Sequence, residues 1–242
     1  MIVMSDMLRL IQERRSSRAP FNPHRPVARE NLRQILEAAR WAPTPHNMQN
    51  FEVLVVQDIE VLEKIGNIRS RVSLEFLREN YQQLSFSEEE LLKKKVGILG
   101  TVFPSSWRDP AKLEEVARKS KPSPLSRAID GSPVLLIVIY DHRKRAPDSE
   151  GDFLGIISLG CVMENMWLMA QSLGISLRIL SEFGEKPIEE EAKRILNIPE
   201  HMKIAYACRL GYPAHSPAKF LRVRRDVETF TQHNMYGNKG ID

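Results

Sequence analysis

The chain has 242 residues, with 35 Lys+Arg against 31 Asp+Glu and a formal charge of +4. Its 42% hydrophobic and 27% charged content excludes global disorder, and 12 Gly and 15 Pro scattered without period exclude collagen-like and low-complexity classes. The length suits one large domain, and without repeats or a Gly/Ser linker residues 1–242 read as a single domain.

No run approaches the roughly 20 apolar residues of a membrane span. The longest clean one, Val134 to Tyr140, has strand length. Asp6, Arg9, Glu13 and Arg14 leave no apolar region of a signal peptide at the N-terminus. Cys161 and Cys208 make neither a disulfide framework nor a zinc set, and each sits in an apolar stretch as a small buried hydrophobe. The expectation is a cytoplasmic protein with no membrane partner and no metal. A pI of 9.1 raises the question of nucleic acid. Acidic runs at Glu88 to Glu90, Glu114–Glu115 and Glu189 to Glu191 interleave with the basic ones, and no zinc spacing or RNP-like strand accompanies them. No nucleic-acid partner is expected.

In chain order, Val27 to Ala42 reads as an amphipathic helix with Leu32, Ile35, Leu36 and Ala39 on one face, stopped by Pro43 and Pro45. Phe51 to Gln57 reads as a buried strand, and Asp58 caps a short helix carrying Val61, Leu62 and Ile65. Residues 70–84 read as helical. Ser87 and Glu90 then form a capping box, and Asp109-Pro110 opens a further helix. The stretch at about 100–130 reads as a long, partly mobile excursion containing Phe103 and Trp107. Pro133 to Tyr140 is a strand buried on both faces. Residues 153–173 form the longest helix, apolar nearly all round, belonging in the middle of the molecule and ended by Gly174 at C′. A short strand at 175–180, a helix from Pro187 to Leu196, a strand from Lys203 to Gly211 and a closing helix near 226–233 complete the pattern. Helices bracket strands irregularly, so the class is α+β.

Three clusters can carry chemistry. Arg14-Arg15-Ser16-Ser17-Arg18, at the end of the first helix, puts three guanidinium groups and two hydroxyls where a phosphate can be cradled. A solvated helix end complementing the macrodipole explains the same residues. Ala42 to Phe51 carries Asn47 and Gln49, whose amides suit the edge of a planar heterocycle; a Pro-punctuated turn is the plainer reading. Arg222 and Arg224 share a side of an extended chain, as a second anion-binding pair or as a basic tail. No set of acids, bases or metal ligands stands out, and no GxGxxG, Walker A or GxSxG motif is present, so a bound cofactor would carry any chemistry.

Together, and in this order, these pieces resemble the nitroreductase family of FMN-dependent oxidoreductases. The resemblance covers most of the chain, from Arg-Arg-Ser-Ser-Arg through Ala-Pro-Thr-Pro-His-Asn-Met-Gln and Leu173-Gly174-Ile175 to Leu210-Gly211-Tyr212-Pro213 and the final Arg-x-Arg. It implies an α+β fold with a central, mainly antiparallel sheet flanked by helices, and a C-terminal extension reaching the partner subunit. It further implies a homodimer with FMN at the interface and NAD(P)H as electron donor, reducing nitroaromatic, quinone or similar small-molecule acceptors by ping-pong chemistry at N5. Carried over, Arg14, Arg15, Ser16 and Arg18 would hold the FMN phosphate, ribityl chain and pyrimidine edge, and Arg222 and Arg224 would complete the phosphate site. Pro43, Thr44, Pro45 and Asn47 would reach the flavin from the partner chain, and Gln49 fits the family's Asn-x-Gln. Ile179 to Phe183 matches the stretch along the flavin, with the backbone N–H of Ser181 or Glu182 at N5. Phe103 or Trp107 could stack over a bound aromatic acceptor. The sequence departs from the family at Asn50-Phe51, a packing substitution for Pro-Trp, and at Glu182, where Gly is usual. The alternatives are a specialised dehydrogenase or dehalogenase of the same family, or a flavin-holding protein without turnover.

Overall fold

A computed structural model describes residues 4–79, 84–216 and 221–240. Along the chain the helices are α1 (Met4–Glu13), α2 (Arg29–Arg40), α3 (Ile59–Gly66), α4 (Leu74–Arg78), α5 (Glu88–Lys94), α6 (Leu113–Lys119), α7 (Ser126–Ile129), α8 (Phe153–Ser172) and α9 (Lys186–Leu196). The strands are β1 (Glu52–Val56), β2 (Arg69–Ser70), β3 (Ser85–Phe86), β4 (Ile98–Leu99), β5 (Ser123–Pro124), β6 (Val134–Asp141), β7 (Ser176–Leu180) and β8 (Met202–Gly211). They form two compact units, one from 4–70 and 123–216, the other from 71–79, 84–122 and 221–240.

The first unit is built on a four-stranded antiparallel sheet in the order β1-β6-β8-β7. The unbroken apolar run of β6 follows from its place in the middle. Val134, Leu136 and Val138 point to one core with Leu32, Ile35 and Ala39 of α2 and Val162, Met166 and Ala170 of α8. Leu135, Ile137 and Ile139 point to the other, with Leu62 and Ile65 of α3 and Ile188 and Ala192 of α9. The expected central antiparallel sheet between helices is therefore present. A bulge skips Ala205 between the pairs Val138–Tyr206 and Ile139–Ile204. Tyr206 thereby faces the α8 side, where its hydroxyl donates to the Leu159 carbonyl at 3.1 Å.

Two expectations for this unit need correction. The strand at 51–57 is an edge strand: only Val56 of β1 is buried, because β1 has a partner on one side alone. The longest helix lies inside the molecule only from Leu159 onward. Phe153, Leu154, Ile156 and Ile157 are exposed at 64%, 42%, 57% and 45%. By length and composition alone Glu150–Ser172 could also cross a membrane, an 18-residue window of it having mean hydropathy 1.5 and being one third buried, a test that the core helix of a soluble protein passes too. The helix ends as expected. Gly174, at φ +68°, takes the left-handed C′ position, and the N–H groups of Ile175 and Gly174 return to the carbonyls of Ala170 and Gln171 at 2.9 and 3.1 Å.

Asn50 is more than a packing substitution. The β1–β6 register sets Glu52 against Ile139, so Asn50 falls opposite Asp141, just past the ladder. Its side chain replaces the missing backbone pair: Nδ2 donates to the Asp141 carbonyl at 3.0 Å, and Oδ1 accepts from the Asp141 N–H at 3.2 Å. The Asp141 carboxylate faces Arg143, taking Nε–H and Nη2–H at 3.0 Å each and the Arg143 backbone N–H at 3.0 Å.

In the second unit, Leu77, Leu91 and Leu113 supply the buried positions of α4, α5 and α6. The Ser87–Glu90 capping box opens α5. Asp109 accepts from the Ala111 N–H at 3.1 Å ahead of α6, and Arg71 caps the far end of that helix through the carbonyls of Ala117 and Arg118. The helix expected over 70–84 is shorter, starting at a Ser73 cap and running from Leu74 to Arg78; residues 80–83 lie outside the described residues. The 100–130 stretch is organised as three 3-10 turns, α6, β5 and α7. The closing helix near 226–233 reduces to one 3-10 turn, Val227–Thr229.

Bidentate pairing with Arg143 holds the Asp141 carboxyl far below the usual carboxylate range. A depressed carboxylate stabilises the fold above its unfolded pKa of about 3.9, and that contribution fades as pH falls below it. Asp141→Asn is therefore expected to melt below the parent at pH 7. The two melting temperatures should converge as pH drops under about 4; a constant gap across that range would contradict the assignment.

Candidate functional site

The Arg14–Arg18 segment leaves α1 and lies along the free edge of the sheet. Ser16 bridges Leu177 of β7 in parallel, and the Ser17 N–H donates to the Leu177 carbonyl at 3.1 Å. What fixes the segment is Arg209, which belongs to none of the three clusters. It sits in the interior of β8 and is fully buried. Its Nη2 donates to the carbonyls of Ser17 and Ala19 at 3.2 and 2.9 Å, and its Nη1 to those of Ile129 and Asp130 at 3.1 and 3.4 Å. The guanidinium also lies 4.5 Å from the centroid of the Phe21 ring, and 3.6 Å from the Asp130 carboxylate. Burial, and then the charge of Arg178, push its pKa down to about 10, while Asp130 works in the other direction. Its Nε has no partner among the described residues. The available signal was a lone charge inside an apolar strand, which burial permits only where most of its donors are paired.

The side chains of the segment diverge. Arg14 turns to α8, with Nε 3.1 Å from Glu164 and the guanidinium 4.3 Å from the centroid of the Trp167 ring. The Trp167 indole N–H reaches the Arg15 carbonyl at 3.4 Å. Arg15 is exposed and Ser16 half-buried, while Ser17 is buried with its hydroxyl unpartnered among the described residues. Partial burial, and then the nearby Arg178, hold the Arg18 guanidinium below its ordinary value. Beyond Leu177 the same strand carries half-buried Ile179 and runs into a 3-10 turn, Ser181–Gly184. The N–H groups of Ser181 and Glu182 open that turn and have no acceptor within it. The sheet edge thus brings Arg18, Ile179, Ser181 and Glu182 into one neighbourhood.

The Thr44–Gln49 loop is a separate construction at the first turns of α8. With Thr44 and Pro45 it borders a small cleft also lined by Tyr140, Asp152, Ser158 and Leu159. His46, Asn47 and Gln49 have φ of +48°, +53° and +47°. The loop is closed by the Gln49 N–H on the Thr44 hydroxyl at 3.1 Å, and Gln49 Nε2 donates to Asn47 Oδ1 at 3.0 Å. Pro43, Asn47 and Gln49 are exposed. Within the second unit, Phe103 stacks on Trp107 at 5.9 Å and Trp107 meets Phe76 edge-on at 6.1 Å. Arg222 and Arg224 also belong to that unit, and Arg224 Nη1 donates to the Val223 carbonyl at 2.7 Å.

Removing Arg209 would take the side-chain donor from four carbonyls, of which Ile129 and Asp130 keep a backbone donor from Ser132 and Phe21 while Ser17 and Ala19 would lose theirs. Arg209→Met is expected to cost about 3–5 kcal/mol in urea-induced unfolding, the range for breaking a buried charged network. A loss under 1 kcal/mol would show that the segment is held by other means.

The sequence matches the model of the nitroreductase family over residues 11–212. Solved structures share the fold at low identity. One from Parabacteroides distasonis, named for NADH dehydrogenase or NAD(P)H nitroreductase activity, has a TM-score of 0.59 at 16% identity, covering 95% of this chain and 98% of its own. FMN-bound nitroreductases from Bacteroides fragilis and Desulfitobacterium hafniense both give 0.57, at 21% and 20% identity, covering 95% and 96% of this chain and 99% and 100% of their own. By the extent of the family match and by this architecture, the chain belongs to the nitroreductase family.

Proposed function

We propose that the protein is a homodimeric, cytoplasmic FMN oxidoreductase, a single functional domain that takes electrons from NADH or NADPH and delivers them to a nitroaromatic, quinone or similar acceptor. The observation that carries this reading is the Arg14–Arg18 segment fixed along β7, ahead of the N–H groups of Ser181 and Glu182. The residues present fit FMN. Arg18 makes no hydrogen bond or ion pair among the described residues, and the buried Ser17 hydroxyl lacks a partner, so donors are left over for a phosphate and a heterocycle. Membership of the family and the FMN bound in two structural neighbours support the same choice.

When bound, FMN would supply two-electron chemistry at N5, alternately with the nicotinamide donor and the acceptor. Arg14, Arg15 and Ser16 would hold the phosphate and ribityl chain, with Arg222 and Arg224 completing the phosphate site, and Arg18 would face the pyrimidine edge. Glu164 competes with phosphate for Arg14, since the ion pair already uses that guanidinium. The N–H of Ser181 or Glu182 would donate to N5, and Ile179 would pack along the ring. From the partner chain, Pro43, Thr44, Pro45, Asn47 and Gln49 would approach the cofactor. The Asn47–Gln49 amide pair leaves one acceptor and one donor group unused for that purpose. The exposed Phe153–Ile157 flank of α8 gives the dimer an apolar surface to bury. Phe103 and Trp107 would cover the acceptor.

The absorption spectrum of the purified protein, before and after anaerobic NADPH or NADH, tests the reading. A flavin spectrum that bleaches is expected. Failure to bind FMN on reconstitution would overturn the proposal, and bound flavin that neither donor bleaches would remove the NAD(P)H step. Arg14→Ala is expected to weaken FMN binding by about 1.5–3 kcal/mol, the range for a hydrogen bond to a charged group. Equal affinity in a fluorescence titration would withdraw Arg14 from the phosphate.

A further inference from the structure

Two arginines stand directly opposite each other across the β7–β8 ladder, Arg178 against Arg209. Paired residues project from the same face of a sheet, and like charges in that position repel. Arg209 is turned inward, its two terminal nitrogens on the carbonyls of Ser17, Ala19, Ile129 and Asp130 and its Nε without a partner among the described residues. Arg178 is half-buried and, among the described residues, makes no hydrogen bond or ion pair. Arg18 is exposed, and it too makes no hydrogen bond or ion pair among the described residues. It lies between the two residues whose carbonyls Arg209 grips, while the Ser17 N–H is bonded to Leu177, the neighbour of Arg178. The charge of Arg178 is felt at both Arg18 and Arg209. Asp130 and Glu182 are the carboxylates whose charge acts on Arg209. Both carboxylates thus act on Arg209, while Arg18 and Arg178, at the open edge of the sheet, make no ion pair among the described residues.

We infer that Arg178 and Arg18 together form a two-arginine anion site on that edge, whose ligand is the negatively charged pyrimidine ring of reduced FMN. The inference rests on the FMN reading above and adds to it Arg178, a residue outside the three clusters and the stretch Ile179 to Phe183. The oxidised ring is neutral; two electrons and one proton leave it with one negative charge. The electrons and the proton come from the nicotinamide donor or from a chemical reductant, and Arg178 exchanges no proton. A pair of partly desolvated cations favours the charged form over the neutral one. Arg178 is a positioning residue for charge: it sets the potential of the cofactor.

The test compares wild type, Arg178→Gln and Arg178→Lys by fluorescence titration with oxidised FMN, dye-equilibrated redox titration of the bound flavin, and melting of the apoprotein. Arg178→Gln is expected to weaken reduced FMN on the order of tenfold more than oxidised FMN, lowering the two-electron midpoint potential by about 30 mV. Arg178→Lys should hold the potential near that of wild type. The Arg178→Gln apoprotein should melt no lower than the parent, because a repulsion has been removed. An unchanged potential in Arg178→Gln overturns the inference, and a lowered apoprotein melting point beside an unchanged potential assigns Arg178 to the fold. FMN held equally by all three proteins at one potential sinks only this inference. A wild type that takes up no FMN sinks the functional reading and this inference with it.

Discussion

A buried guanidinium is costly: the effective penalty for removing an ion from water reaches several kcal/mol. The fold recovers that cost at Arg209 by surrounding its two terminal nitrogens with four backbone carbonyls and its face with an aromatic ring. The partners come from two loops far apart in sequence, Ser17 and Ala19 after α1, and Ile129 and Asp130 ahead of β6. The Ser132 N–H also reaches the Ile129 carbonyl at 3.1 Å, so it is chiefly at Ser17 and Ala19 that one side chain does what a strand would do elsewhere. The Phe21 N–H then bonds the Asp130 carbonyl at 2.9 Å, tying the loops to each other as well as to β8. The position of the Arg14–Arg18 segment along β7 depends on this arrangement.

The cost reappears as electrostatics at the sheet edge. With Arg209 locked inward, Arg178 stands opposite it without a carboxylate of its own, and Arg18 is the next cation along. Arg14 escapes the crowding by turning to Glu164 and Trp167 of α8. Stability and ligand affinity pull on the same residues here: a chain optimised for the free state would replace one of these arginines. Keeping them makes sense where an anion completes the set.

Local signals in the sequence were reliable where one residue type answers one backbone demand. The Ser87–Glu90 box, the Asp58 cap and Gly174 after α8 all behave as their spacing indicates. So does β6, whose uniform apolarity forces a central position. The strand at 51–57 misled because an edge strand and a buried one can share β-branched composition, and only the count of neighbours separates them. The α8 flank misled for a related reason: apolarity says that a surface is to be covered, not that this chain covers it. Asn50 and Arg209 were illegible as site-builders because their partners are main-chain atoms of remote residues, and backbone carbonyls carry no sequence signature. The Arg14–Arg18 cluster was visible, yet its grip on Leu177 and its split between Glu164 and the sheet edge needed the topology.

The loop from Thr44 to Gln49 carries a consequence for dynamics. Three residues with β-carbons occupy the left-handed region within four positions, at a cost of about 1–3 kcal/mol each. Against this strain the loop sets the Thr44 hydroxyl, two short turns and one amide–amide bond, with half of its side chains in water. The balance places the segment at the low end of the ladder of local opening energies, while β6 behind it opens only with the whole sheet. Amide exchange would therefore be fast in the loop and slow a few residues away. A segment that opens so readily is also one that a bound neighbour can freeze, and the order it gains counts against the affinity of whatever freezes it.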